Sequence, residues 1–173
     1  MMGSAFTSGQ LAAKPLLTLL AKFGEESMPL KPASIETVQK VLQEIWSCST
    51  SGEPDERVLG FFSQILSERG YSSDILNLWG TDQLFYEQEH TAPISNIPMD
   101  SGLFAFADWT GESDGDAWCY DIKHECIRCI PVSSGYADAD KSRLESYGVF
   151  PKFEHFAAYL RCEAELRGWL QNR

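Results

Sequence analysis

From residue 34 onward the apolar positions fall into two regimes, a helical one reaching about residue 79 and a strand-like one beginning near residue 83. Ile35, Val38, Val41, Leu42, Ile45 and Trp46 recur at three- and four-residue spacing behind Ser34, whose hydroxyl suits a helix N-cap. The polar run Ser47-Cys48-Ser49-Thr50-Ser51-Gly52 ends that helix. A second helix is predicted from Pro54, with Asp55 and Glu56 in its first turn. Val58, Leu59, Phe61, Phe62, Ile65 and Leu66 form its apolar side, and Gly70 closes it. Ser73 or Asp74 is placed to cap a short third helix running to Trp79.

Past residue 83 the segments shorten and fill with aromatic and β-branched residues. Predicted strands are Leu84-Phe85-Tyr86, Leu103-Phe104-Ala105-Phe106-Ala107, 117–122 and 127–132. The last three read as consecutive and antiparallel, with Gly111 and Gly115 breaking one connection and Lys123-His124-Glu125-Cys126 turning the other. A polar loop around Ser133-Ser134-Gly135 then leads to a closing helix from about Pro151, which carries Phe153, Phe156, Leu160 and Leu166 toward the core. Helices, a meander and a helix predict one α+β domain over residues 11–173, a mixed or mainly antiparallel sheet with helices packed on it. Residues 1–10, small and polar without periodicity, are expected to be a disordered N-terminal end.

Composition adds bounds to this outline. With 43% hydrophobic residues in 173, the chain has apolar material for one sizeable core. Five scattered cysteines, an odd number, are expected to be reduced thiols. The apolar run Leu16-Leu17-Thr18-Leu19-Leu20-Ala21 lies between Lys14 and Lys22 and is too short for a signal peptide or a membrane span. No membrane association and a cytoplasmic location are therefore expected.

Charge sharpens the picture. Of a net −11, the interval 70–122 holds ten acids and neither Lys nor Arg. Such a field repels phosphate backbones, which argues against nucleic acid, and attracts a basic protein; a solvated acidic face is the alternative.

The chemistry-bearing candidates are few. His124-x-Cys126-x-x-Cys129 has the residue types of a zinc or redox motif, but on a strand Cys129 would leave the sheet away from Cys126, and no second pair completes four ligands. Asp108, Glu112, Asp114 and Asp116 place four carboxylates in nine residues, without the spacing of a calcium loop. His90, His124 and His155 stand in no nucleophile motif, and no glycine loop is built to hold phosphate. No catalytic residue, metal ligand or cofactor is assigned, and the chain is expected to bind rather than to catalyse; a carboxylate-based metal protein or hydrolase is the lesser alternative. Trp118, alternating along a strand, reads as core, whereas Trp109 in the acidic turn reads as an anchor facing a partner. The expected partner surface is Asp108, Trp109, Glu112, Asp114 and Asp116.

The order of these pieces resembles the SUKH superfamily, which includes bacterial immunity proteins against toxins and a yeast regulator of cell-wall synthesis. The resemblance spans roughly residues 30–170 and rests on three stretches: Leu103-Phe104-Ala105-Phe106-Ala107-Asp108; Gly115-Asp116-Ala117-Trp118-Cys119-Tyr120-Asp121 with Ile130-Pro131-Val132 after it; and Phe153-Glu154-His155-Phe156. Glu53-Pro54 departs from the leucine-proline pair common before the family's second helix, while Gly70 matches a glycine after it. The resemblance implies an α+β protein-binding domain, an immunity protein that neutralises a toxin, with a basic nuclease domain as the partner that the charge would suit. A regulatory or scaffolding module without a toxin is the other reading it implies.

Overall fold

The computed structural model describes residues 8–23, 30–49, 52–86, 101–109, 116–131, 147–166 and 168. They form four named helices and a six-stranded antiparallel sheet: α1 (Ser8–Phe23), α2 (Ile35–Ser49), α3 (Glu56–Ile65), β1 (Tyr71–Ser72), β2 (Leu76–Leu78), β3 (Leu103–Trp109), β4 (Ala117–Asp121), β5 (Cys126–Ile130), β6 (Tyr147–Phe150) and α4 (Phe153–Leu166). The sheet order is the chain order, β1 to β6, so it is a meander and the domain is α+β.

Two of the helices start as their caps dictate. Ser34 Oγ accepts from Thr37 N at 3.1 Å ahead of α2, and Asp55 Oδ1 accepts from Val58 N at 2.7 Å ahead of α3. Their apolar stripes lie on one face of the sheet together with α4. Tyr120 of β4 sits 6.0 Å from the rings of Trp46, Phe62 and Phe153, and Phe62 lies 5.2 Å from both Phe104 and Phe106 of β3. Phe156 of α4 packs 4.8 Å from Trp118. Burial of these rings, offset or edge-on, supplies the main driving force of the core.

α1 corrects the expectation for the N-terminal end, because residues 8–10 already belong to a helix. The run around Leu16 is its buried stripe, with Ala12, Ala13, Leu16, Leu19, Leu20 and Phe23 in the core. α1 packs on α3 and α4, and Gly9 permits the closest approach: a Cβ there would come 2.0 Å from the Arg57 carbonyl oxygen.

Three further expectations change. Residues 71–78 form the β1–β2 hairpin instead of a helix: Ser73 Oγ accepts from Leu76 N at 3.1 Å and so turns the chain back. Leu84-Phe85-Tyr86 is a helical turn rather than a strand, started by Leu84 N donating to Gly80 O at 3.0 Å. The strand expected over 127–132 ends at Ile130, and β6, which the sequence does not announce, pairs with it. The β3–β4–β5 meander and the closing helix stand where they were expected, with Phe153, Phe156 and Leu160 in the core, but Leu166, expected to point there too, is 82% exposed at the helix end.

Candidate functional site

β3 contains one extra residue, and the extra residue decides which side chains reach the site. Ala105 pairs with Cys119 but Ala107 pairs with Trp118, so Phe106 and Ala107 together oppose Trp118 in a β-bulge. Strict alternation from Phe104 and Phe106 would send Asp108 to the helix side and Trp109 away from it. The bulge reverses both. Trp109 is 1% exposed, its ring 5.5 Å from Trp118 and 6.5 Å from Tyr159 of α4. It belongs to the core and is no partner anchor, contrary to the sequence expectation.

Asp108, sent to the other face, ends a polar ladder across three strands. Ser72, Asn77 and Asp108 are register partners on β1, β2 and β3. Ser72 Oγ donates to Asn77 Oδ1 at 2.6 Å, and Asn77 Nδ2 donates to Asp108 Oδ1 at 2.8 Å. Trp79 Nε1 donates to Asp108 Oδ2 at 3.1 Å. Both carboxylate oxygens are thereby fixed by donors that are themselves held in the sheet, which orients the negative charge before any ligand arrives.

Asp108 lines an open groove of about 980 Å³. One wall is the segment after α3, with Ser67, Glu68 and Arg69; another is the stretch before α2, with Lys31 and Pro32; Tyr71, Trp79 and Gln83 also line it. The walls are tied by backbone bonds, Ala33 N to Leu66 O at 2.8 Å and Thr81 N to Ser67 O at 2.9 Å. Gly70 and Gly80 cross beneath: Gly70 has φ +81°, and a Cβ on Gly80 would lie 2.4 Å from Gly70 N. The groove is thus a rigid concavity carrying both charge signs and an indole edge.

Of the five residues expected to form the partner surface, the structure describes Asp108, Trp109 and Asp116; Glu112 and Asp114 lie outside the described residues. Asp108 and Asp116 stand at the two ends of the β3–β4 connection. The first is on β3 and the second precedes β4, where Asp116 O accepts from Trp109 N at 3.0 Å. Both are partly buried and flank the base-free stretch 110–115. Asn77, Trp79, Arg69 and Lys31 complete the groove and were not foreseen, because the hairpin that gathers them was read as a helix.

The cysteine and histidine candidates fall elsewhere. Cys126 pairs with Asp121 and Cys129 with Trp118, so the two leave β5 on opposite faces, and both are buried. Among the described residues no group of three or more His, Cys, Asp and Glu is placed to hold a metal ion. Burial, with the nearby Cys129 and Asp121 adding to it, pushes the Cys119 thiol well above its ordinary range. Burial likewise pushes Tyr120 up to about 12, against the opposing pull of the Arg57 guanidinium.

Asp121 is a buried carboxylate with a structural task. Its Oδ1 accepts from Lys123 N and His124 N at 3.1 and 3.0 Å, folding the β4–β5 turn in which Glu125 takes φ 51°. Its Oδ2 lies 2.8 Å from His124 Nδ1 and 2.9 Å from Arg128 Nε. The Arg128 contact is an ion pair without a hydrogen bond, since that N–H has no aligned acceptor among the described residues.

No protein-family model matches this chain, and no curated protein matches it. Among the described residues, no helix is long and apolar enough to cross a membrane.

Proposed function

We propose that the chain is a protein-binding domain of SUKH type, acting in the cytoplasm as an immunity protein that neutralises a basic toxin domain by direct capture. The observation that carries this reading is Asp108. Its carboxylate is pinned by Asn77 and Trp79 on the wall of a rigid groove, at the point where β3 enters the acid-rich stretch toward Asp116. A fixed carboxylate beside a tryptophan edge is a receptor for a lysine or arginine side chain, and its donors lower the reorganisation needed on binding. The excess of ten acids over residues 70–122 supplies the long-range attraction that brings a basic surface to the groove. An α+β fold with an antiparallel sheet and helices packed against it is also compatible with the fold that the resemblance to SUKH proteins implies.

The test is co-expression with the product of the neighbouring gene in the source genome. Rescue of growth from that product, together with a complex whose association slows as salt rises, supports the reading. The Asp108→Asn, Asp116→Asn double variant is expected to lose rescue while remaining folded. A neighbour that is not toxic, or rescue undiminished in the variant, removes the toxin reading or the groove respectively.

A further inference from the structure

We propose that the chain forms a two-fold symmetric dimer through the groove between α1 and α4, each copy's α1 lying against the other's α4. This inference is independent of the toxin reading and concerns a different surface. The groove, about 770 Å³, is lined by one stripe of each helix. Leu11, Lys14, Pro15, Thr18, Leu19 and Lys22 recur along α1 at intervals of one to four residues, and Glu154, Ala157, Ala158, Arg161 and Glu165 do so along α4. A contiguous stripe on both helices makes a channel along their length, not a local dent.

Its lining mixes apolar and charged residues, and the charge is of opposite sign on the two helices. Leu11 is 57% exposed, and the α4 side of the lining includes the small Ala157 and Ala158. Pro15 withholds the N–H that the Leu11 carbonyl would receive in an uninterrupted helix. The α1 rim carries Lys14 and Lys22; the α4 rim carries Glu154 and Glu165, with Arg161 3.9 Å from Glu165. The stripe is therefore basic on α1 and net acidic on α4.

That arrangement names its own complement. In a two-fold dimer a patch meets itself reversed, so a patch with one basic and one acidic rim satisfies both rims twice. A single foreign helix would need the same split of charge along its two edges. The helices, 16 and 14 residues long, present a face roughly 20 Å by 20 Å, small by the standard of stable interfaces. The dimer is accordingly weak, concentration dependent and sensitive to salt.

The test uses the full chain in sedimentation equilibrium and light scattering. Wild type is expected to pass from monomer to dimer over the micromolar range, with dissociation promoted by salt. Two charge reversals, Lys14→Glu with Lys22→Glu and Glu154→Lys with Glu165→Lys, should each be monomeric, because like rims then face one another. All four positions are exposed, so both variants should melt close to wild type, read by circular dichroism. Mixed in equal amounts, the two variants should form a heterodimer, since reversed α1 meets reversed α4 and the native pair meets the native pair. A wild type that stays monomeric at the highest concentration, a reversal that still dimerises, or two variants that fail to associate would each overturn the proposal.

Discussion

Asp108 and Trp109 are adjacent in the chain and leave β3 by opposite faces, the carboxylate 3.1 Å from the Trp79 indole nitrogen and the Trp109 ring 5.5 Å from that of Trp118. One residue belongs to the groove and the other to the core, and the bulge at Phe106 and Ala107 separates their roles.

Trp109→Ala should therefore act on stability first. Removing a fully buried indole from contact with Trp118 and Tyr159 is expected to destabilise the protein by about 3–5 kcal/mol, the usual range for truncating a large core aromatic. Urea denaturation measures it. A loss below about 1 kcal/mol would place the side chain at the surface after all.

The ladder predicts coupling between strands. Asp108→Ala leaves the amide of Asn77 and the indole N–H of Trp79 without this acceptor, at about 1–3 kcal/mol. Asn77→Ala alone should cost less, because Asp108 keeps the Trp79 bond. The double variant should fall short of the sum of the two single losses by at least ~0.5 kcal/mol. Strict additivity would mean that the ladder is not an energetic unit.

Gly9→Ala distinguishes a packed α1 from a frayed one by sign. In a loose helical end, alanine in place of glycine stabilises by up to ~1 kcal/mol. Here the new Cβ meets the Arg57 carbonyl oxygen and, at 2.8 Å, the Phe61 nitrogen, backbone atoms of α3 that cannot swing aside. A loss of about 1–3 kcal/mol is expected in thermal melts.

Thiol labelling reads the sheet. Of the five cysteines, exposed Cys48 and Cys162 should react rapidly with a disulfide reagent at mildly alkaline pH, and buried Cys119, Cys126 and Cys129 only on unfolding. A third fast thiol in the native state would contradict this burial.

The α+β class, the cap of α2, the helical stretch of α3, the central meander and the closing helix were legible in the sequence, because each rests on short-range signals; Asp55, read as part of the first turn of α3, is instead its cap. Ser34 caps a residue three positions away, and short runs of aromatic and β-branched residues bounded by turns mark the strands. The acid-rich, base-free interval was equally visible, since charge composition needs no fold. Other features depended on contacts distant in the chain. The Leu16 run became a core stripe only because α3 and α4 receive it, and residues 71–78 became a hairpin because β3 pairs with β2 across some thirty residues. Most of all, the side to which Asp108 and Trp109 point was set by a one-residue slip against β4. A period-two pattern has no memory of such an insertion: one extra residue exchanges inside for outside, and only the partner strand shows where the exchange occurs.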